Sequence, residues 1–119
     1  MKVMICDDSM FIRKKMKDAI AAAAPDAEIV EAFNGRQAVE KYQSEKPDIV
    51  FMDIIMPEKS GVEALIEIIA IDKNAKIVMA SSVGTQENLK QAINAGAYDF
   101  LQKPIEDEAV AKIIAKASM

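Results

Sequence analysis

The chain has 119 residues, enough for one domain with a single packed core, and 51% hydrophobic with 29% charged residues is a globular balance that excludes disorder. A net charge of −4 excludes general attraction to nucleic-acid backbones or anionic membranes. No apolar run approaches the roughly 18 residues of a membrane span, and Asp7-Asp8 interrupt the first run too early for a secretory leader, so a single cytoplasmic domain over residues 1–119 is expected.

In chain order, Val3-Met4-Ile5-Cys6 reads as a strand, with Cys6 a small buried hydrophobe rather than a reactive thiol. Apolar residues at three- and four-residue spacing then predict a helix near 10–23. Glu28 to Ala32 is a second strand, and its polar Glu28 and Glu31 around Ile29-Val30 suit a sheet edge. A helix near 35–45 lies between Asn34-Gly35 and Lys46-Pro47-Asp48. Ile49-Val50-Phe51-Met52 forms the third strand, and Ser60-Gly61 opens a helix near 61–71. Ile77-Val78-Met79-Ala80 is the fourth, followed by a helix near 85–95 that Ala95-Gly96 closes. In that helix Leu89 and Ile93 share a face that is either core or an exposed docking strip. Phe100-Leu101 is the fifth strand, and a last helix from Glu106 toward Met119 turns Val110, Ile113 and Ile114 to the core.

Strict alternation of strand and helix implies right-handed crossovers and a parallel sheet covered on both faces, an α/β fold. For five strands the common doubly wound, flavodoxin-like order is 2-1-3-4-5, with its ligand crevice outside the carboxyl ends of strands 1 and 3. Asp7 and Asp8 end strand 1, Asp53 ends strand 3, Ser81-Ser82 end strand 4 and Lys103-Pro104 end strand 5, all on that edge. Three carboxylates so close would raise one another's pKa values unless a cation intervened. Oxygen ligands, with no histidine in the chain, favour Mg²⁺. Mg²⁺ shares its shell readily with phosphate oxygens, so phosphoryl chemistry is the leading class, with Asp53 as nucleophile, Ser81 as hydrogen-bond donor and Lys103 as a point charge. Each residue also has a plainer use. Asp7, Asp8 and Ser9 suit a helix N-cap, Asp53 could merely end a strand, and lysines such as Lys103 usually lie on the surface. Their convergence on one edge is what gives the set its weight.

The ordered set Cys6-Asp7-Asp8-Ser9, Pro47 to Pro57 with Gly61, Ile77 to Ser82 and Ala95 to Pro104 resembles the response-regulator receiver family over nearly the whole chain. The resemblance implies that Asp53 accepts a phosphoryl group from a sensor histidine kinase, or slowly from small donors such as acetyl phosphate. It implies Mg²⁺ ligation by Asp8 and Asp53, by the backbone carbonyl of Ile55 and, through water, by Asp7. It makes Ser81 and Phe100 the switch pair, with Ser81 drawn to the phosphoryl group and Phe100 turning inward, and it makes Lys103-Pro104 a cis peptide. The nearest likeness within the family is to stand-alone chemotaxis regulators. A monomer is therefore expected that signals through a downstream protein, with a motility-switch component as the candidate, and without nucleic acid or membrane insertion. Such a receiver catalyses only its own phosphorylation and dephosphorylation.

Phe100 departs from the commoner tyrosine and removes any signal carried by a phenol hydroxyl. Ser81 replaces the frequent threonine and keeps the hydroxyl. Ile55 and Val83 are apolar where family members influence attack by water, so slow self-dephosphorylation is expected. An adaptor in another signalling pathway, or one with a decayed site, is the alternative. A haloacid-dehalogenase-like phosphatase fits poorly, because Asp7-Asp8 are adjacent and Ile55 stands two residues after Asp53. A flavodoxin-like cofactor carrier fits no better, because Asp7-Asp8 would repel a phosphate.

Overall fold

The computed structural model describes residues 1–118. Ten elements alternate: β1 (Lys2–Cys6), α1 (Met10–Ala23), β2 (Glu28–Ala32), α2 (Gly35–Glu45), β3 (Ile49–Asp53), α3 (Gly61–Ile71), β4 (Ile77–Ser81), α4 (Gln86–Ala95), β5 (Asp99–Gln102) and α5 (Asp107–Ala117). The five parallel strands lie in the order 2-1-3-4-5, as the alternation predicts. The last helix stops at Ala117, so its expected extension is not formed at Ser118, and Met119 lies outside the described residues.

Strand residues alternate between two apolar layers. Met4, Cys6, Val50, Met52, Ile77 and Met79 face Val39, Tyr42, Leu65, Ile68 and Ala92 of α2, α3 and α4. Val3, Ile5, Ile49, Phe51, Val78 and Leu101 face Met16, Ile20, Val110, Ile113 and Ile114 of α1 and α5. The inner strands are apolar at nearly every position because both faces are covered. Each large side chain so buried stabilises by roughly 1.5–3 kcal/mol before entropy is counted. β2 has only Ala32 fully buried, in keeping with its edge position.

The register sets the functional edge. Cys6 pairs with Met52, so the next residues, Asp7 and Asp53, leave the sheet side by side. Asp53 lies opposite Ala80, and Ser81 opposite Gln102, so Ser81 and Lys103 each follow by one step. No helix among the described residues is long and apolar enough to cross a membrane.

Candidate functional site

The turn from β1 into α1 carries two acids that the helix does not need as caps. Ser9 caps α1, its hydroxyl accepting from the Ile12 amide at 3.2 Å, so the cap reading of Asp7 and Asp8 falls away. Asp7 is buried, Asp53 is half-buried and Asp8 is exposed, and one carboxylate oxygen from each lies within 4.8 Å of the others. Lys103 closes the cluster. Its ammonium lies 3.1 Å from Asp7 Oδ2 and 3.2 Å from Asp53 Oδ1, bridging the two carboxylates. The other Asp7 oxygen accepts from the Ser9 amide at 2.9 Å.

The charges respond to this crowding. Burial pushes the Asp53 carboxyl above its ordinary value and Asp7 adds to the push, while Lys103 and the Ile54 amide oppose it. For Lys103, burial works against the charge, but Asp53 and Asp7 outweigh it, so the ammonium is held above its ordinary value. Three carboxylates against one ammonium leave the cluster two positive charges short, the charge of one divalent ion.

The loop after β3 is held close. The Gly61 amide donates to the Ile54 carbonyl at 2.7 Å, and a Cβ at position 61 would stand 1.9 Å from the Asp53 carbonyl oxygen. Only glycine permits that approach. Ser60 and Glu63 then form a reciprocal capping box that starts α3. Within the loop Glu58 sits at φ 66°, a left-handed conformation unusual for a residue with a side chain, and its carboxylate accepts from Asn34 Nδ2 at 2.7 Å and Arg36 Nε at 3.3 Å. The Ile55 side chain points to solvent.

On the other flank Ser81 is buried, its hydroxyl donating to the Leu101 carbonyl at 3.4 Å, and its own carbonyl accepts from the Lys103 amide at 2.7 Å. The Lys103–Pro104 peptide is cis, as expected. Phe100 is 49% exposed and Val83 90% exposed. In α4, Leu89 packs against the core while Ile93 is exposed, so the two do not form one strip.

The structure therefore brings Asp7, Asp8, Asp53 and Lys103 into one cluster, with Ser81 ending the neighbouring strand β4, Ile55 two residues beyond Asp53, and Phe100 in β5 opposite Met79. Sequence reasoning missed two residues here. Arg13, inside the charged run Arg13-Lys14-Lys15-Met16-Lys17, is buried, and it donates to the Asp7 carbonyl at 2.9 Å. Its signal was phase, since residues 13, 16 and 20 fall on the buried face of α1. Glu58 had no comparable signal.

The donor set fits Mg²⁺. It consists of hard carboxylate oxygens, there is no histidine, and burial pushes the Cys6 thiol well above its ordinary value, away from the thiolate a soft metal would need.

A doubly wound sheet with a lysine-bridged acidic cluster at its switch point defines a class of phosphoryl-accepting signalling domains. A family model for the response regulator receiver domain matches residues 3–115, and the chain belongs to that family. Receiver domains are phosphoryl-accepting regulators that bind Mg²⁺ at an acidic pocket. The chain is similar to the chemotaxis protein CheY of Thermotoga maritima, with 48% identity covering 98% of this chain and 97% of that one. It is also similar to the chemotaxis protein CheY of Listeria monocytogenes, with 44% identity covering 99% and 98%. Among solved structures, the CheX-CheY-BeF₃-Mg complex from Borrelia burgdorferi superposes with a TM-score of 0.88 and 31% identity, covering 99% of this chain and 89% of that one.

Proposed function

We propose that this chain is the response regulator of a chemotaxis two-component system, acting through one receiver domain over residues 1–119, and that Asp53 is its phosphoacceptor. The observation that carries the reading is the Lys103 ammonium bridging Asp53 and Asp7 beside Asp8, in a chain of the receiver family. The kinship with chemotaxis proteins named CheY supplies the pathway.

The chemistry follows from the residues. A carboxylate oxygen of Asp53 forms the new O–P bond as the N–P bond of a kinase phosphohistidine breaks, and the electron pair stays on the imidazole nitrogen. Lys103 offers a charged donor to a phosphoryl oxygen once it leaves the carboxylates. Asp8, Asp53 and the Ile55 carbonyl would hold Mg²⁺, with Asp7 acting through water, and the bound ion neutralises charge on the phosphoryl oxygens. Ser81 exchanges its Leu101 carbonyl partner, at 3.4 Å, for the phosphoryl group, and Phe100 moves inward. With Phe in that place the altered surface is read by shape. The partners are a sensor histidine kinase and a downstream target protein. The Borrelia complex, with its BeF₃ and Mg, supports the same occupants here.

Incubation with labelled acetyl phosphate and Mg²⁺ tests the assignment. Label should enter wild type and not Asp53→Asn, and equal labelling of the two would remove Asp53 from its role.

A further inference from the structure

We propose that Arg13 is a positioning residue for the acidic cluster, holding the Asp7–Asp8 turn so that both carboxylates reach one cation, an inference that rests on reading the cluster as a Mg²⁺ site. Arg13 is the only cation in the buried class among the described residues, at 8% exposure. Burying a guanidinium is costly unless its donors are spent. Here Nε donates to Glu31 Oε1 at 3.0 Å, Nη1 donates to the Asp7 carbonyl at 2.9 Å, and the guanidinium carbon lies 4.2 Å from the centre of the Phe33 ring. Glu31 is itself held by Lys17 at 3.2 Å.

The Asp7 carbonyl is the telling partner. Beyond the end of β1 the Asp7 amide still donates to the Ala32 carbonyl of β2, at 3.2 Å. The Asp7 carbonyl belongs to the next peptide unit, which joins Asp7 to Asp8. That unit is planar, so fixing the direction of its C=O places the Asp8 Cα, and the Ser9 amide, held by Asp7 Oδ1 at 2.9 Å, fixes the peptide on the far side of Asp8. The Asp8 side chain is exposed, so the direction of its Cα–Cβ bond is set by the two peptides that flank it. Arg13 therefore acts on Asp8 through the Asp7 peptide and on Asp7 by closing its turn. A lysine in its place would keep the charge but lose the planar fork that reaches Glu31 and the carbonyl together.

The test is calorimetric titration of Mg²⁺ into the full chain, with urea unfolding run alongside so that each Kd refers to folded protein. Removing an outer partner of a metal ligand typically weakens binding by about 10- to 100-fold. Arg13→Lys should weaken Mg²⁺ binding by about 10-fold and Arg13→Met by at least as much. Glu31→Gln, which loosens the anchor, should weaken it a few-fold. Lys14→Ala, on the exposed side of the same helix, should leave Kd unchanged. A merely structural role would lower the urea midpoint and leave Kd where it was. Arg13→Lys and Glu31→Gln carry the test even if Arg13→Met does not fold, and a Kd within twofold of wild type in both would overturn the proposal. A wild type that binds no Mg²⁺ would instead bring down the metal reading on which the inference rests.

Discussion

The two flanks of the acidic cluster are built differently. On the β1 and β3 side, α3 opens with a capping box and buries Gly61, Val62, Ala64, Leu65 and Ile68, and the Asp7 turn is tied to Ser9, Arg13 and Lys103. On the β4 and β5 side, α4 fully buries only Ala92. Its cap residue Thr85 makes no side-chain bond to the helix, because its hydroxyl is engaged with Ser82. Few buried contacts and an unsatisfied helix start mark the low end of local stability. The difference lies in anchoring: the β1 and β3 flank is held by caps, burial and the Asp7 turn, whereas α4 on the other flank has one buried residue and no side-chain cap.

Glycine substitutions probe the contrast most strongly. Gly61→Ala drives a Cβ into the Asp53 carbonyl and should cost about 3 kcal/mol or more and abolish phosphorylation. Gly84→Ala, at φ 93° but in open space, should cost only about 1 kcal/mol of backbone strain. Urea unfolding compares them, and equal losses would erase the distinction. Next in size is the pair on α4. Leu89→Ala should cost about 2 kcal/mol because Leu89 packs on the core, whereas exposed Ile93→Ala should stay within about 0.5 kcal/mol. Ile93 then remains free to contribute to a partner surface.

Asp53→Asn should stabilise the metal-free protein at neutral pH, since it removes a charge that burial and Asp7 disfavour. The pH dependence has a definite sign. The folded carboxyl titrates above its ordinary value, so its contribution is fully present below about pH 4 and is lost as pH rises through the folded pKa. Wild type without Mg²⁺ should therefore lose ground to Asp53→Asn between acid and neutral pH, and added Mg²⁺ should narrow the gap. A difference independent of pH would contradict this. Smallest is the effect of Ile55→Asn, which places a group able to orient water beside the acyl phosphate and should speed phosphate loss a few-fold. An unchanged or reduced rate would show that the apolar Ile55 does not set the lifetime.

Much of this was legible in the sequence because strand and helix periods differ and their alternation permits few topologies. Once the order 2-1-3-4-5 followed, Asp7, Asp8, Asp53, Ser81 and Lys103 had to share an edge. The unread parts depend on packing. Arg13 looks like one more charge in a basic run until its phase on α1 is combined with the nearness of β2. Gly61 reads as a helix boundary, yet its need arises from the Asp53 carbonyl beside it. The left-handed Glu58 is sustained by Asn34 and Arg36, more than 20 residues away in the chain. Leu89 and Ile93 share a helical face by spacing, yet Leu89 packs on the core and Ile93 is exposed, which spacing alone does not reveal.

Borohydride reduction converts an aspartyl phosphate to homoserine, which peptide mass spectrometry locates. After treatment with acetyl phosphate and Mg²⁺, homoserine is predicted at position 53 and nowhere else, and only when Mg²⁺ is present. Homoserine at position 7 or 8, or its absence from position 53, would show that Asp53 is not the sole phosphoacceptor.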